Sequence, residues 1–192
     1  MNTAYDLLTK MGSIPLQYGM YDKTKGKVLT GNDLAKINGT AEVADRCIVM
    51  HPAEVWKNKA GTCWDCTLLE YDELKRMGYK DITGVYYEVF SPKTNKIRTS
   101  HSFIIYKEKN GSGYYWFEYS WFNHRGLHGP YSSKEDIYPV VEKATLSDCP
   151  GDTISYWNKN LDIPIILEMD EISIMGFMAI AYPEEYGDQY EN

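Results

Sequence analysis

Nowhere in these 192 residues is there an apolar run long enough to cross a bilayer, so no membrane partner is expected. Clustered positive charge is also missing: 20 Lys and Arg are scattered among 27 Asp and Glu, for a formal charge of -7. A phosphate backbone requires such clusters, so nucleic acid is not an expected partner. Cysteine is sparse, at four residues, and Met1–Asp6 has no basic start leading into an apolar stretch. The expectation is therefore reduced thiols and a cytoplasmic location rather than a disulfide framework. No second Cys-x-x-Cys accompanies Cys63 and Cys66. A zinc site made with two of His101, His124 and His128 is accordingly a weak reading, and no metal or cofactor is expected. No repeat, low-complexity run or linker divides the chain, which predicts one domain over residues 1–192.

Aromatic residues are abundant, with 17 Tyr and 5 Trp. They suit strands, cores and substrate grooves alike. Ala4, Leu7, Leu8 and Met11 share a helical face, predicting a helix over residues 3–11 with Gly12 as its stop. Residues 21–31 read as a loop or ragged hairpin. Residues 33–48 read as one or two helical pieces broken at Asn38-Gly39, with Thr40 able to cap the second. His51-Pro52 opens another helical turn.

Residues 62–77 carry the clearest helix signal, with Thr62 as N-cap, Asp65 in the capping-box position and Gly78 as terminator. Three strands, over 82–90, 99–106 and 114–121, then form an antiparallel meander. A helix near 133–143 contains Pro139, which shifts its start or bends it. Residues 165–167 and 172–181 read as strands or buried helix, and the acidic tail from Pro183 reads as a solvated end.

Cys63 falls in the first turn of the predicted helix, where unpaired N–H groups and the helix dipole favour a thiolate. His101 on a later strand can form an ion pair with it and protonate a leaving group, and Glu118 can orient the imidazole. If the Asn110-Gly111 turn sets the register, His101 lies opposite Ser120, with Glu118 as a diagonal neighbour on the same face. Slipping by one residue would move Glu118 to the other face. The Cys63 N–H can stabilise an oxyanion, with a second donor from the preceding segment such as Trp56 or Asn58. Trp56, Trp64, Trp121 and His124 are candidate substrate contacts, His124 because it sits in the glycine-rich His124–Pro130 loop.

Gly61-Thr62-Cys63-Trp64-Asp65-Cys66-Thr67, followed by His101 and Trp116-Phe117-Glu118, resembles the Gly-x-Cys-x-Asp...His...Asp pattern of the transglutaminase-like superfamily of papain-like cysteine enzymes. The resemblance covers about Gly61 to Trp121. It implies an α+β fold, with a cysteine-bearing helix packed on an antiparallel sheet, and a Cys63-His101-Glu118 triad in which Glu118 replaces the usual Asp. The function expected is cysteine-dependent acyl transfer (peptidase, amidase, deamidase or transglutaminase) on a peptide or protein substrate. Two alternatives remain: an inactive peptide-binding module on the same fold, with Trp56, Trp64, Trp116 and Trp121 forming a groove, and a Cys-x-x-Cys thiol-disulfide enzyme. The first predicts an inert Cys63; the second predicts a strand running directly into the helix. The sequence does not give the oligomeric state.

Overall fold

The computed structural model describes residues 1–34, 36–37 and 39–190, with only the backbone for 39–40 and 188–190. In chain order, α1 (Ala4–Ser13) precedes the hairpin β1 (Gln17–Asp22) and β2 (Lys27–Thr30), then α2 (Gly31–Leu34), α3 (Gly39–Arg46), β3 (Cys47–Val49), α4 (Pro52–Asn58), β4 (Ala60–Gly61) and α5 (Cys63–Arg76). The second part runs β5 (Ile82–Ser91), β6 (Lys96–Lys107), β7 (Tyr114–Glu118), a 3-10 turn (Phe122–His124), β8 (Gly126–Tyr131), α6 (Tyr138–Asp148), β9 (Thr153–Leu161), α7 (Ile163–Leu167), β10 (Ile172–Ser173), α8 (Ile174–Ala181) and α9 (Pro183–Tyr190).

The architecture is α+β with two sheets. One is antiparallel in the order β8-β7-β6-β5-β9; the other runs β10-β3-β1-β2, with β4 added parallel to β1. Strand residues alternate between two cores, as period-two geometry requires. On one face Tyr86, Ile104, Tyr106 and Phe117 join Leu68, Leu69 and Leu74 of α5 in the main core. On the other, Val85, Tyr87, Phe103, Ile105 and Trp116 meet Ile137, Tyr138 and Val141 near the start of α6. A hydrogen bond of 2.9 Å between Thr67 Oγ1 and Ser102 Oγ pins α5 to β6.

Helix α1 has the expected buried face of Ala4, Leu7 and Met11, but Gly12 lies within it. The helix ends instead at Ser13, because Ile14 precedes Pro15 and is held extended, with φ -100° and ψ 129°. Pro139 fixes the start of α6, which opens five residues later than the sequence pattern predicts. Lacking an N–H, proline fits the first turn without losing a helical bond. Thr40 lies inside α3; its side chain and Asn38 are outside the described residues.

Strand β9 has no counterpart in the sequence reading. It adds an edge strand beyond β5, and the consecutive polar residues Asn158, Lys159 and Asn160 interrupt the alternation that would reveal it. The His124–Pro130 segment is likewise only partly loop, since β8 pairs with β7 from Gly126 onward. Among the described residues no helix is long and apolar enough to cross a membrane.

Candidate active site

The start of α5 is built from short contacts around Asp65. Its carboxylate accepts the Thr62 N–H at 2.5 Å, the Thr62 hydroxyl at 2.6 Å and, through its other oxygen, the Met50 N–H at 2.5 Å. This is the capping interaction read from the sequence, extended by a tether to the end of β3. Asp65 is 1 % exposed, and burial raises its carboxyl to about pKa 6 against the opposing pull of these hydrogen bonds. Ahead of the helix, Gly61 belongs to a two-residue strand paired with β1, with Tyr18 beside Gly61. Only that short bridge runs into α5; helix α4 occupies the preceding segment.

The β6–β7 ladder runs from Lys107↔Tyr114 to Ile104↔Phe117, which is the register of a loop centred on Asn110 and Gly111. Continued two residues past Phe103, it sets His101 opposite Ser120, with Glu118 diagonal to it. His101 Nε2 lies 2.7 Å from Glu118 Oε2. The carboxylate is 1 % exposed, and Oε1 accepts the Trp121 N–H at 2.8 Å and the Ser120 hydroxyl at 3.2 Å. Both oxygens are thus held. Tyr87, Phe103 and Trp121 pack the His101 ring, with centroids at 5.7, 6.3 and 5.5 Å.

Cys63, 4 % exposed at the head of α5, completes the group, lying close enough to His101 for its thiol to raise the imidazole's pKa. Because Nε2 is committed to Glu118, Nδ1 is the nitrogen left to face the thiol. Burial alone would push the imidazolium down; the Glu118 carboxylate, the Tyr87 phenol and the hydrogen bonds with Cys63 and Glu118 outweigh it, so the ring holds its proton well above its ordinary pKa. Behind this group sits Glu70, two turns along α5 from Cys63 and 2 % exposed. Burial, followed by the charge of Glu118, pushes the Glu70 carboxyl well up, with His101 pulling the other way. Burial, then Glu70 and Asp65, likewise pushes the Cys66 thiol well up, which makes it a poor nucleophile beside Cys63.

An open cleft of about 200 Å³ reaches His101, with Tyr18, Tyr87, Trp121, Asp148 and Cys149 in its walls. Asp148 ends α6, so a carboxylate and the negative end of a helix dipole face the same space. No Lys or Arg lines the cleft, so it disfavours anionic groups.

Of the expected substrate contacts, Trp121 is in the cleft wall, and its indole donates to Asp148 at 3.0 Å. His124 stands behind it, with ring centroids 4.0 Å apart and Nε2 3.5 Å from Asp148. Trp56 and Trp64 lie elsewhere. Trp56 donates to Glu73 at 2.9 Å beneath Lys10, and Trp64, turned about 100° around the helix from Cys63, stacks on Phe177 at 4.7 Å. Trp116 packs against His128, at 4.3 Å, and lies in the core. Of the two proposed oxyanion partners, Trp56 has its single indole N–H committed to Glu73, and Asn58 directs one amide N–H to Met50 Sδ at 3.4 Å.

Sequence reasoning missed Tyr18, Tyr87, Asp148 and Cys149. Each comes from an element distant in the chain, and no spacing rule links them to Cys63. Among the described residues no group of three or more His, Cys, Asp or Glu is placed to hold a metal ion. No protein-family model, curated protein or solved structure matches this chain, so its chemistry must be read from residues and geometry alone.

Proposed function

We propose that this protein is a cysteine-dependent acyl-transfer enzyme of transglutaminase-like type, acting on a carboxamide or peptide carbonyl. The observation that carries the reading is the convergence on His101: Glu118 lies 2.7 Å from one ring nitrogen, and the Cys63 thiol, at a helix start, is close enough to raise the pKa of the ring. In this reading the thiol proton resides on Nδ1. The sulfur attacks, an S–C bond forms, and the carbonyl π pair moves to oxygen. Collapse breaks the C–N bond, His101 gives its proton to the departing amine, and a thioester remains. Water or an amine, deprotonated by the now neutral His101, then cleaves the thioester and restores the thiol. The Cys63 N–H, in the first turn and without a helical acceptor, supplies one oxyanion donor. Glu118 orients His101, and the aromatic cleft supports a peptide or protein side chain as substrate.

The test is iodoacetamide labelling at pH 6, read by mass spectrometry at Cys47, Cys63, Cys66 and Cys149. Cys63 is expected to label fastest and to lose that advantage in His101→Ala. Cys63→Ala and His101→Ala should abolish turnover of a peptide amide with the fold intact, while Cys66→Ala keeps most of it. Activity surviving Cys63→Ala would refute the mechanism. Equal labelling of Cys63 and Cys66 with a reversible disulfide would indicate thiol-disulfide chemistry instead, and an inert Cys63 a binding scaffold.

A further inference from the structure

We infer that the Tyr18 hydroxyl is a second oxyanion donor at the Cys63 centre, acting with the Cys63 backbone N–H. The inference rests on the acyl-transfer reading and names a catalytic residue that reading left open.

The placement follows from β-pairing. Strand β4 adds parallel to β1, Tyr18 falls beside Gly61, and Gly61 is two residues before Cys63. The Tyr18 side chain lines the cleft that reaches His101 and also a small cavity walled by Gly61, Cys66 and Ser120. It therefore stands over the first turn of α5, across the opening from the imidazole. Although 59 % of the residue is exposed, the hydroxyl lies close enough to the thiol for Cys63 to be the largest influence on its pKa. Negative charge on Cys63, then burial of the hydroxyl and its hydrogen bond to Cys63, raises the phenol above its ordinary pKa, so it keeps its proton and remains a donor.

A donor in this position follows the charge through the reaction. Before attack it faces the sulfur. As the S–C bond forms, negative charge moves to the carbonyl oxygen, one bond further out, and rotation about the ring–oxygen bond redirects the O–H toward it. No proton changes hands at Tyr18. Tyr18→Phe removes the donor and leaves the ring.

The experiment compares two reactions of Cys63 in the full chain, wild type against Tyr18→Phe. Acylation by p-nitrophenyl acetate passes through a tetrahedral oxyanion; alkylation by iodoacetamide is a displacement at carbon and does not. Both are followed at the Cys63 peptide by mass spectrometry, and their ratio cancels any change in thiolate population or access. Loss of one oxyanion donor typically slows turnover about 10²–10³-fold, so the acylation-to-alkylation ratio is expected to fall at least about tenfold in Tyr18→Phe. A ratio unchanged within about twofold, whether both rates fall together or neither moves, would overturn the assignment of Tyr18. If wild-type Cys63 reacts no faster than a free thiol with either reagent, the acyl-transfer reading fails and the Tyr18 role falls with it.

Discussion

Gly61 is the position where a single methyl group should test how the start of α5 is assembled. Its φ is not in the left-handed region, so the backbone does not demand glycine there; space does. A Cβ at 61 would lie 2.8 Å from Asp65 Cβ, whereas carbon atoms pack at about 3.5–4.0 Å. The obstacle is a Cβ fixed to the helix rather than the end of a flexible chain, so α5 and β4 must separate by about 1 Å. Overpacking of this kind costs about 1–3 kcal/mol. Displacing Asp65 also weakens its bonds to the Met50 and Thr62 N–H groups, and one charged hydrogen bond is worth about 1.5–3 kcal/mol. Gly61→Ala should therefore lose about 3–5 kcal/mol of the roughly 5–15 available to a folded protein. For a chain of this size Tm should fall roughly 6–20 °C. Calorimetry measures the loss, and iodoacetamide labelling of Cys63 in the folded variant reports whether the thiol has shifted from His101. A Tm within about 2 °C of wild type with unchanged labelling would refute the steric account.

Two charge substitutions probe the ground around His101. Glu118→Gln presents either an amide NH₂ to the His101 nitrogen, displacing the proton toward Nδ1, or a donor to the Trp121 N–H; turnover should fall about 10²–10⁴-fold. The same variant removes the carboxylate that raises His101, so the imidazolium should lose its proton at lower pH and the alkaline limb of the Cys63 labelling profile should shift down; a limb that stays put refutes the role of Glu118. Glu70 has a raised folded-state pKa, so its contribution to stability is full below its unfolded value and is lost as pH rises through the folded one. Glu70→Gln should therefore flatten the fall in stability as pH rises above the ordinary carboxyl range in urea unfolding; a variant whose stability falls with pH as steeply as wild type would count against a strained buried carboxyl.

Local chemistry explains why parts of the site could be read before any fold was known. The Thr62–Asp65 capping interaction is closed by atoms three residues apart, so it places Cys63 at a helix start whatever surrounds it. The Asn110-Gly111 loop sets the β6–β7 register, and with it the face that carries both His101 and Glu118. Side-chain direction was a different matter. Trp64 sits next to Cys63 in the chain yet stacks on Phe177, because neighbouring helical residues point about 100° apart and the main core lies on that side. Residues 153–161 became a strand only because β5 presents an edge for them to pair with.

By itself, then, the amino-acid order determined the capped helix with its leading thiol, the hairpin register and the alternation that carries His101 and Glu118. Each depends on contacts within a few residues or on one turn. Tertiary structure decided the rest: that the thiol comes near the imidazole, that the end of α6 brings Asp148 to the cleft, that Tyr18 enters the same cleft beside Gly61 and that Glu70 is buried near Glu118. Those contacts join residues from about 38 to 85 positions apart in the chain, and the packing of α5 and α6 on opposite faces of one sheet, with β1 paired to β4, brings them together.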